Sequence, residues 1–188
     1  MQRRAIFIDR DGTINVEKSY LFKFDDWEWI SGAIDAIRMF NEAGFLVIVI
    51  SNQAGVARGF YGVDDIEKLH ASVTRALESQ NARIDGYYYC PHHPEVGENR
   101  ECDCRKPAPG LLLAAQRDRD IDLSRSYMIG DKASDIEAAL AAGVHPVMVA
   151  TGYGSDERKL IDSRVPHVAD LMAAARLILS GECSVRPV

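Results

Sequence analysis

The chain has 188 residues and is 47% hydrophobic, which is the size and apolar content of one ordinary domain with a substantial core. Its formal net charge of −6 provides no basic field that would hold a nucleic acid or an anionic membrane. The longest aliphatic run, residues 45–50, is far too short for a membrane helix, and the apolar stretch after residue 4 is too short for a signal peptide. We therefore expect one cytoplasmic domain spanning residues 1–188, a monomer without nucleic-acid or membrane partners.

Strand-like and helix-like segments alternate along the chain. Five short apolar runs predict buried strands, at residues 4–9, 45–51, 84–90, 126–130 and 146–151. Apolar residues at helical spacing predict helices between them, at residues 33–43, 64–77, 110–119 and 135–142, and a weaker strand and helix follow at 165–169 and 171–179. Asp64, with Glu67 three positions on, has the form of an N-terminal helix cap. The alternation predicts an α/β fold, a Rossmann-like doubly wound parallel sheet with helices on both faces.

The first predicted strand ends directly in the sequence DRDGT at residues 9–13. This places the carboxylates of Asp9 and Asp11 at the carboxyl edge of the sheet, where ligands collect in folds of this class. One carboxylate can attack a phosphorus atom, while the other protonates the leaving alkoxide and later activates water. Asp-x-Asp alone mostly marks a turn that follows a strand. When Gly-Thr follows it, a match by chance is expected in only about one chain in several hundred.

Polar residues also follow the second strand and precede the third helix. Ser51, Asn52 and Gln53 come directly after the second strand, so that a hydroxyl and backbone amides would face the same crevice and bind phosphate oxygens. Lys106 stands just before a helix, where its ammonium would offset the charge of an incoming phosphoryl group. Alone, the tripeptide would be a turn and the lysine a solvated surface residue. Together, the two features favour a functional role for both.

Further carboxylates follow the fourth strand, in the sequence GDKASD at residues 130–135. Asp131 is expected at the same sheet edge, with Asp135 one helical turn later. Hard oxygen ligands of this kind suit Mg²⁺. The sequence leaves the roles of Lys132 and Asp135 open. The order acid pair, hydroxyl, lysine and acid is far more specific than any one of its members.

Three of the four cysteines, Cys90, Cys102 and Cys104, crowd one proline-rich loop that also holds His92 and His93. Cys183 stands alone near the end of the chain. In a cytoplasmic protein such clustering favours metal binding over disulfides. The spacing supplies three thiolates and an imidazole, a complete tetrahedral zinc shell of the closed structural kind. The alternative is three free thiols beside an incidental histidine pair, and composition alone does not separate the two histidines.

Taken together, residues 4–150 resemble the haloacid dehalogenase superfamily of phosphohydrolases, whose four motifs match the segments described above. The resemblance implies that Asp9 is the nucleophile and Asp11 the general acid and base. It also implies that Ser51 and Lys106 hold the phosphate, and that Asp131 is a Mg²⁺ ligand together with Asp9 and the main-chain carbonyl of Asp11. The second motif has serine where threonine is common in the superfamily, which keeps the hydroxyl.

Within that superfamily, the sequences CPHHP (90–94) and CDCRKP (102–107) resemble the zinc loop of the heptose bisphosphate and histidinol phosphate phosphatases. The resemblance implies a zinc loop at about residues 90–106 that covers a single domain without a capping domain. It also selects the four zinc ligands, with His92 preferred over His93: Cys90, His92, Cys102 and Cys104.

An uncapped site has to recognise its substrate with loops, so Arg58 and Arg105 become substrate-binding candidates beside Ser51, Asn52, Gln53 and Lys106. The alternative interpretation is that both arginines are ordinary solvated surface residues.

The sequence SNQAGVARG (51–59) favours the heptose bisphosphate phosphatases, which implies a small phosphorylated sugar as substrate and release of its 7-phosphate through an aspartyl-phosphate. Histidinol phosphate is the alternative substrate. A hypothesis of another class is a non-catalytic, zinc-stabilised module that binds a phosphorylated ligand. It is disfavoured because Asp11 is needed for turnover but not for binding.

Overall fold

The computed structural model of the chain describes residues 2–97 and 100–181, so Cys183 lies outside the described residues. Its strands are β1 (Ala5–Ile8), β2 (Leu46–Asn52), β3 (Gly86–Cys90), β4 (Tyr127–Gly130), β5 (His145–Val149) and β6 (His167–Val168). Its helices are α1 (Ala33–Glu42), α2 (Val63–Glu78), α3 (Gly110–Arg119), α4 (Ala133–Ala142), α5 (Gly154–Glu157) and α6 (Leu171–Leu179). The six strands form one parallel sheet in the order β3-β2-β1-β4-β5-β6. The predicted α/β fold with a parallel sheet is confirmed.

Both faces of the sheet are covered, which explains why the strands read as continuous apolar runs. Successive side chains of β1 point to opposite faces: Ile6 and Ile8 pack with α1, α2 and α6, whereas Ala5 and Phe7 pack with α3 and α4. All four side chains are fully buried. Burying each of the larger ones stabilises the fold by about 1.5–3 kcal/mol, so a polar residue within β1 would be strongly destabilising.

The strand order reverses at β1, because the chain continues to β2 and β3 on one side and later fills β4, β5 and β6 on the other. Ligands in doubly wound sheets bind in the crevice beyond the carboxyl ends of the strands at such a switch point. The register pairs Ile8 with Ile129, so β1 and β4 end at nearly the same level. Asp9 and Asp131, which follow these two strands, therefore lie on either side of the crevice.

Helix α2 begins one residue earlier than the sequence suggests. Its N-cap is Gly62, and the backbone N–H of Gly62 donates to Asp65 Oδ2 at 2.9 Å. The predicted cap formed by Asp64 and Glu67 is wrong, because Asp65 stands at the position that can reach back to the exposed N–H at the helix start.

Residues 91–109 join β3 to α3, and their described part, which omits residues 98 and 99, contains neither helix nor strand. Its course is set by isolated backbone hydrogen bonds, such as Gly110 N to the Asp103 carbonyl at 2.9 Å, and by side-chain contacts. Within the described ranges, no helix combines the length and the apolar character that crossing a lipid bilayer requires.

His70 on α2 is a buried side chain that the chemistry of the site does not explain. It is 3% exposed, its ring stacks on Tyr87 with centroids 4.1 Å apart, and neither ring nitrogen has a hydrogen-bond partner among the described residues. Burial, with a smaller contribution from the charge of Arg10, lowers the pKa of His70 to about 3. The His70 imidazole is therefore neutral in the folded protein at neutral and mildly acidic pH.

This burial predicts acid sensitivity. The unfolded chain protonates His70 below pH about 6.5 whereas the folded chain does not, so stability falls as the pH drops from about 6.5 towards 3. Between pH 7 and pH 5, His70 alone is expected to cost about 2 kcal/mol of unfolding free energy. His70→Phe keeps an aromatic ring against Tyr87 and should lose that much less than the wild type over the same interval.

Urea unfolding at pH 7 and pH 5 measures the difference. His167→Phe, at an exposed position on β6, is the matched control and is expected to follow the wild type. Equal acid sensitivity in His70→Phe and the wild type would contradict the burial argument.

Candidate active site

A cleft of about 410 Å³ opens at the switch point of the sheet. It holds predicted site residues that lie far apart in sequence, together with several residues to which the sequence analysis gave no role. The predicted ones are Asp9, Asp11, Asn52, Gln53, Arg105 and Lys106, and the further ones include Glu17, Ser19, Tyr20, Tyr61, Lys132, Asp135 and Tyr153. The location agrees with the rule for doubly wound sheets.

Asp9 and Lys106 form a buried ion pair at this switch point. Lys106 Nζ lies 2.6 Å from Asp9 Oδ1 and 2.6 Å from Asp135 Oδ1, and it donates a hydrogen bond to the carbonyl oxygen of Ile50 at 2.8 Å. Both Asp9 and Lys106 are at most 5% exposed. A buried ammonium with three oxygen neighbours is held at one position, beside the carboxylate that the sequence predicts as nucleophile.

The ionisation of this pair follows from its surroundings. Burial disfavours the charge of Lys106, but the carboxylates of Asp135 and Asp9 outweigh burial and raise the pKa of the lysine, so it stays protonated. Burial raises the pKa of Asp9 to about 6, against the opposing effect of Lys106. Asp9 is therefore mostly a carboxylate at neutral pH, the form that a nucleophile requires.

Asp11 stands in a hydrogen-bond network of its own. Its Oδ1 accepts from Arg10 Nη2 and Asn15 Nδ2, both at 3.0 Å, and its Oδ2 accepts from Arg10 Nε and Gln53 Nε2, both at 3.1 Å. The hydroxyl of Tyr61 donates to Gln53 Oε1 at 2.9 Å and fixes the orientation of that amide. Four donors thus hold the Asp11 carboxylate, and its side chain remains 18% exposed.

These donors set the charge of Asp11. Burial raises its pKa, but the Arg10 guanidinium and the hydrogen bonds from Asn15 and Gln53 outweigh burial, so the net pKa lies below the ordinary value. Asp11 is a carboxylate at neutral pH in this arrangement and can accept a proton. Arg10 is 1% exposed, so its charge is poorly screened by solvent and acts at short range.

Three carboxylates, including that of Asp9, meet at the cleft. Oxygen atoms of Asp9, Asp131 and Asp135 lie within 4.8 Å of one another, and all three residues are buried. Burial, with the charges of Asp9 and Asp135, raises the pKa of Asp131 to about 8. Asp131 Oδ1 has no hydrogen-bond partner among the described residues, while its Oδ2 accepts from Tyr153 N at 2.8 Å. A buried oxygen without a donor, in a cluster of like charges, fits a hard divalent cation such as Mg²⁺.

The backbone closes tightly around Asp131. Gly12 and Gly152 have φ values of +85° and +57°, and a Cβ atom at either position would overlap Asp131 Oδ2. Both loops therefore approach the Asp131 carboxylate so closely that a residue larger than glycine at either position would displace it. Gly12 is part of the pentapeptide after β1, and this packing gives the glycine of that motif a physical reason.

The remaining predicted substrate-binding residues differ in their surroundings. Ser51 is buried, and its hydroxyl accepts from Gln53 Nε2 at 3.3 Å. Arg105 lines the cleft, and its Nη1 donates to the carbonyl of His92 at 3.1 Å. Arg58 is not among the residues that line the cleft within the described ranges, and its Nη2 lies 2.9 Å from His93 Nε2. Substrate binding by Arg58 stays a prediction.

The predicted zinc ligands come together on the loop after β3. Ligand atoms of Cys90, His92, Cys102 and Cys104 all lie within 4.8 Å of one another. Tetrahedral zinc with Zn–S bonds of about 2.3 Å places sulfur atoms about 3.8 Å apart. The separations of Cys90 Sγ from Cys102 Sγ (3.6 Å) and from His92 Nδ1 (3.8 Å) match this shell, and the Cys90–Cys104 separation of 3.0 Å is shorter.

His93, the alternative histidine ligand, points elsewhere. Its Nδ1 accepts from the backbone N–H of Glu95 at 3.1 Å, and its Nε2 faces Arg58. The donor set with His92 therefore fits a closed zinc site. The last of these ligands, Cys104, lies two residues before Lys106 in the sequence, so the zinc ligands and the buried ammonium share one short segment.

Several residues of the cleft were missed by sequence reasoning. Lys132 Nζ lies 3.5 Å from Glu17 Oε2 and 4.6 Å from the ring centroid of Tyr153, and Tyr20 contacts Phe60 edge to face at 4.7 Å. These residues stand on loops without a periodic pattern. The position of Lys132 directly after Asp131 was the one available signal, and the sequence left its role open.

A comparison with known proteins matches residues 103–175 to the HAD-hydrolase-like family model. The chain is 48% identical over 152 residues to D-glycero-beta-D-manno-heptose-1,7-bisphosphate 7-phosphatase of Escherichia coli (strain K12), covering 79% of this chain and 80% of that protein. It is 42% identical over 178 residues to the protein of the same name from Photorhabdus laumondii, covering 92% and 95%.

Among solved structures, the chain is similar to D,D-heptose 1,7-bisphosphate phosphatase from B. bronchiseptica complexed with magnesium and phosphate. The TM-score is 0.86 at 32% identity, and the match covers 95% of this chain and 99% of that one. With relatives at 42–48% identity over most of their length, the chain belongs to the heptose-1,7-bisphosphate 7-phosphatase family of HAD-like hydrolases.

Proposed function

We propose that this chain hydrolyses the 7-phosphate of D-glycero-β-D-manno-heptose 1,7-bisphosphate through an aspartyl-phosphate on Asp9. The contact that carries the chemistry is the buried pair of Lys106 Nζ and Asp9 Oδ1, 2.6 Å apart in the cleft. The choice of sugar and anomer is supported by the names of the relatives at 42–48% identity. The chain's own residues account for the reaction type.

The first half of the reaction forms the covalent intermediate. A carboxylate oxygen of Asp9 attacks phosphorus, and the bond from phosphorus to the sugar oxygen breaks. Asp11 is ionised before substrate arrives and takes up a proton from solvent as the phosphate dianion binds, because a nearby like charge raises a carboxyl pKa. The leaving alkoxide then takes this proton from Asp11. Lys106 offsets the charge that collects on the phosphoryl oxygens.

The second half returns Asp9 to its starting state. A water molecule attacks phosphorus, Asp11 takes the proton of that water, and the Asp9–phosphorus bond breaks to release inorganic phosphate. The four hydrogen bonds to Asp11 keep its carboxylate at one place during both proton transfers. Ser51 and the backbone amides after β2 are proposed to hold the phosphoryl oxygens.

We further propose that Asp9, Asp131 and the main-chain carbonyl of Asp11 hold Mg²⁺. When bound, the cation neutralises phosphoryl charge and orients the ester for in-line attack. Asp135 belongs to the same cluster of carboxylates but is paired with Lys106 at 2.6 Å, which suits it to positioning the lysine. Arg105 and Gln53 on the cleft wall are proposed to contact the sugar phosphate.

The loop after β3 is proposed to bind structural zinc through Cys90, His92, Cys102 and Cys104. We also propose that the protein acts as a cytoplasmic monomer made of one domain without a cap. The acidic net charge and the absence of a basic field support a small-molecule substrate over a nucleic acid.

Replacing the nucleophile tests the mechanism. Asp9→Asn removes the attacking carboxylate while keeping its size, so the rate of phosphate release is expected to fall at least about a thousandfold, with the fold retained. Steady-state phosphate release and circular dichroism measure the two quantities. Asp118→Asn, an exposed position on α3, is the matched control and should keep full activity. A folded Asp9→Asn variant with wild-type turnover contradicts the assignment.

A substrate panel tests the proposed specificity. Phosphate release is measured with Mg²⁺ on both anomers of heptose 1,7-bisphosphate, on histidinol phosphate and on fructose 1,6-bisphosphate. The β anomer is expected to give the highest kcat/KM, and removal of divalent cations by a chelator should abolish turnover. Preference for histidinol phosphate would replace the proposed substrate but keep the Asp9 mechanism. Full activity in the chelator would refute the magnesium proposal.

Metal content tests the zinc proposal. Purified protein is expected to contain about one zinc per chain, because three cysteines and one histidine complete a tetrahedral shell. Cys102→Ser should lose zinc and lower the melting temperature, since structural zinc contributes directly to folding. Cys183→Ser, outside the cluster in sequence, controls for loss of a thiol. Zinc-free wild-type protein with an unchanged melting temperature would contradict the proposal.

A further inference from the structure

The side chain of Asn52 makes two hydrogen bonds to the backbone of the residue that carries the buried ammonium. Its Nδ2 donates to the carbonyl of Lys106 at 3.1 Å, and its Oδ1 accepts from the N–H of Lys106, also at 3.1 Å. The two residues are 54 positions apart. One carboxamide thus satisfies both polar backbone groups of a single residue, in the pattern that a neighbouring strand would otherwise provide.

The position of Lys106 depends on such a contact, because its segment lacks regular structure. Residues 91–97 and 100–109 contain no helix or strand, so no ladder of backbone hydrogen bonds fixes their position relative to the sheet. Asn52 is the last residue of β2, a strand whose preceding residues are buried and which pairs with β1 on one side and β3 on the other. The carboxamide therefore ties the loop to an inner strand of the sheet.

The ammonium of Lys106 has little freedom to compensate for a shifted backbone. Its Nζ already meets Asp9, Asp135 and the carbonyl of Ile50 within 2.6–2.8 Å. A displacement of the Lys106 backbone would lengthen at least one of these contacts or bend the side chain away from its staggered conformation. Misplacement by about 1 Å costs as much as about a hundredfold in rate in enzymes that depend on positioned groups.

We propose that Asn52 is a positioning residue: its carboxamide fixes the position of the Lys106 backbone relative to the sheet and thereby places the ammonium against Asp9. This inference rests on the proposed phosphatase function, and it assigns Asn52 a role that acts through Lys106. It predicts that losing the carboxamide slows the chemical step and leaves substrate affinity almost unchanged.

The chain contains a matched control for this clamp. Asn41 Nδ2 donates to the carbonyl of Arg83 at 3.0 Å, and Asn41 Oδ1 accepts from the N–H of Arg83 at 2.7 Å. This pair has the same two-bond geometry across 42 residues, but neither partner lines the cleft within the described ranges. Removing the Asn41 carboxamide therefore reproduces the loss of a two-bond clamp at a distance from the reaction.

The experiment compares Asn52→Ala with Asn41→Ala in steady-state hydrolysis of heptose 1,7-bisphosphate, with thermal unfolding and zinc content measured on the same samples. Asn52→Ala is expected to lower kcat by about 10- to 100-fold with KM changed less than about twofold. Asn41→Ala is expected to lower the melting temperature to a similar degree and to keep kcat. Asn52→Gln retains the carboxamide one methylene further out, should lose less kcat than alanine, and replaces it if alanine does not fold.

Each contrary outcome has a definite meaning. A higher KM at unchanged kcat in Asn52→Ala would make Asn52 a substrate-binding residue and overturn the proposal. Unchanged kinetics, or an equal loss of kcat in Asn41→Ala, would also overturn it. Wild-type protein that hydrolyses none of the phosphate esters in the panel would refute the phosphatase function and this inference together, whereas active wild type with an unaffected Asn52→Ala refutes the inference alone.

Discussion

The charge balance around Lys106 is the constraint on which the rest of the site depends. Three carboxylates, from Asp9, Asp131 and Asp135, share a buried space, and one ammonium lies among them at 2.6 Å from two. Burial, together with the excess negative charge, raises the pKa values of Asp9 and Asp131 to about 6 and 8. Such a cluster favours the uptake of further positive charge, either as a proton or as a divalent cation.

The fold supplies this cluster from elements of unequal rigidity. Asp9 and Asp131 follow β1 and β4, two paired strands in the middle of the sheet, and the backbone fixes their positions. Lys106 comes from a segment without regular structure, so its position has to be set by contacts: the clamp from Asn52, and the cysteine and histidine cluster that ends two residues before it. The proposed zinc ion would order the loop that carries the charge of Lys106, which gives a physical reason for a metal cluster at this place.

Sequence reasoning succeeded where a residue's neighbours along the chain determine its environment. Apolar runs predicted all six strands, and the position of Asp9 and Asp131 directly after two of them predicted that they would meet. It failed at the start of α2, where the capping pair is Gly62 and Asp65 and not the predicted Asp64 and Glu67. It also gave no sign of Arg10 as the partner of Asp11, since an arginine between two aspartates reads as a surface residue.

The residues that sequence patterns missed share a location on the cleft wall. Glu17, Tyr20, Lys132 and Tyr153 stand on loops that follow different strands, and three-dimensional contact alone brings Lys132 between Glu17 and the Tyr153 ring. In the proposed mechanism the reaction depends on Asp9, Asp11 and Lys106, and we expect the wall residues to contact the rest of the substrate. Substitutions on the wall can therefore change which phosphate ester enters while the pair of Asp9 and Lys106 stays the same. The sequence resemblance implies that heptose and histidinol phosphate phosphatases share one set of motifs, and we expect the two specificities to differ at the wall residues.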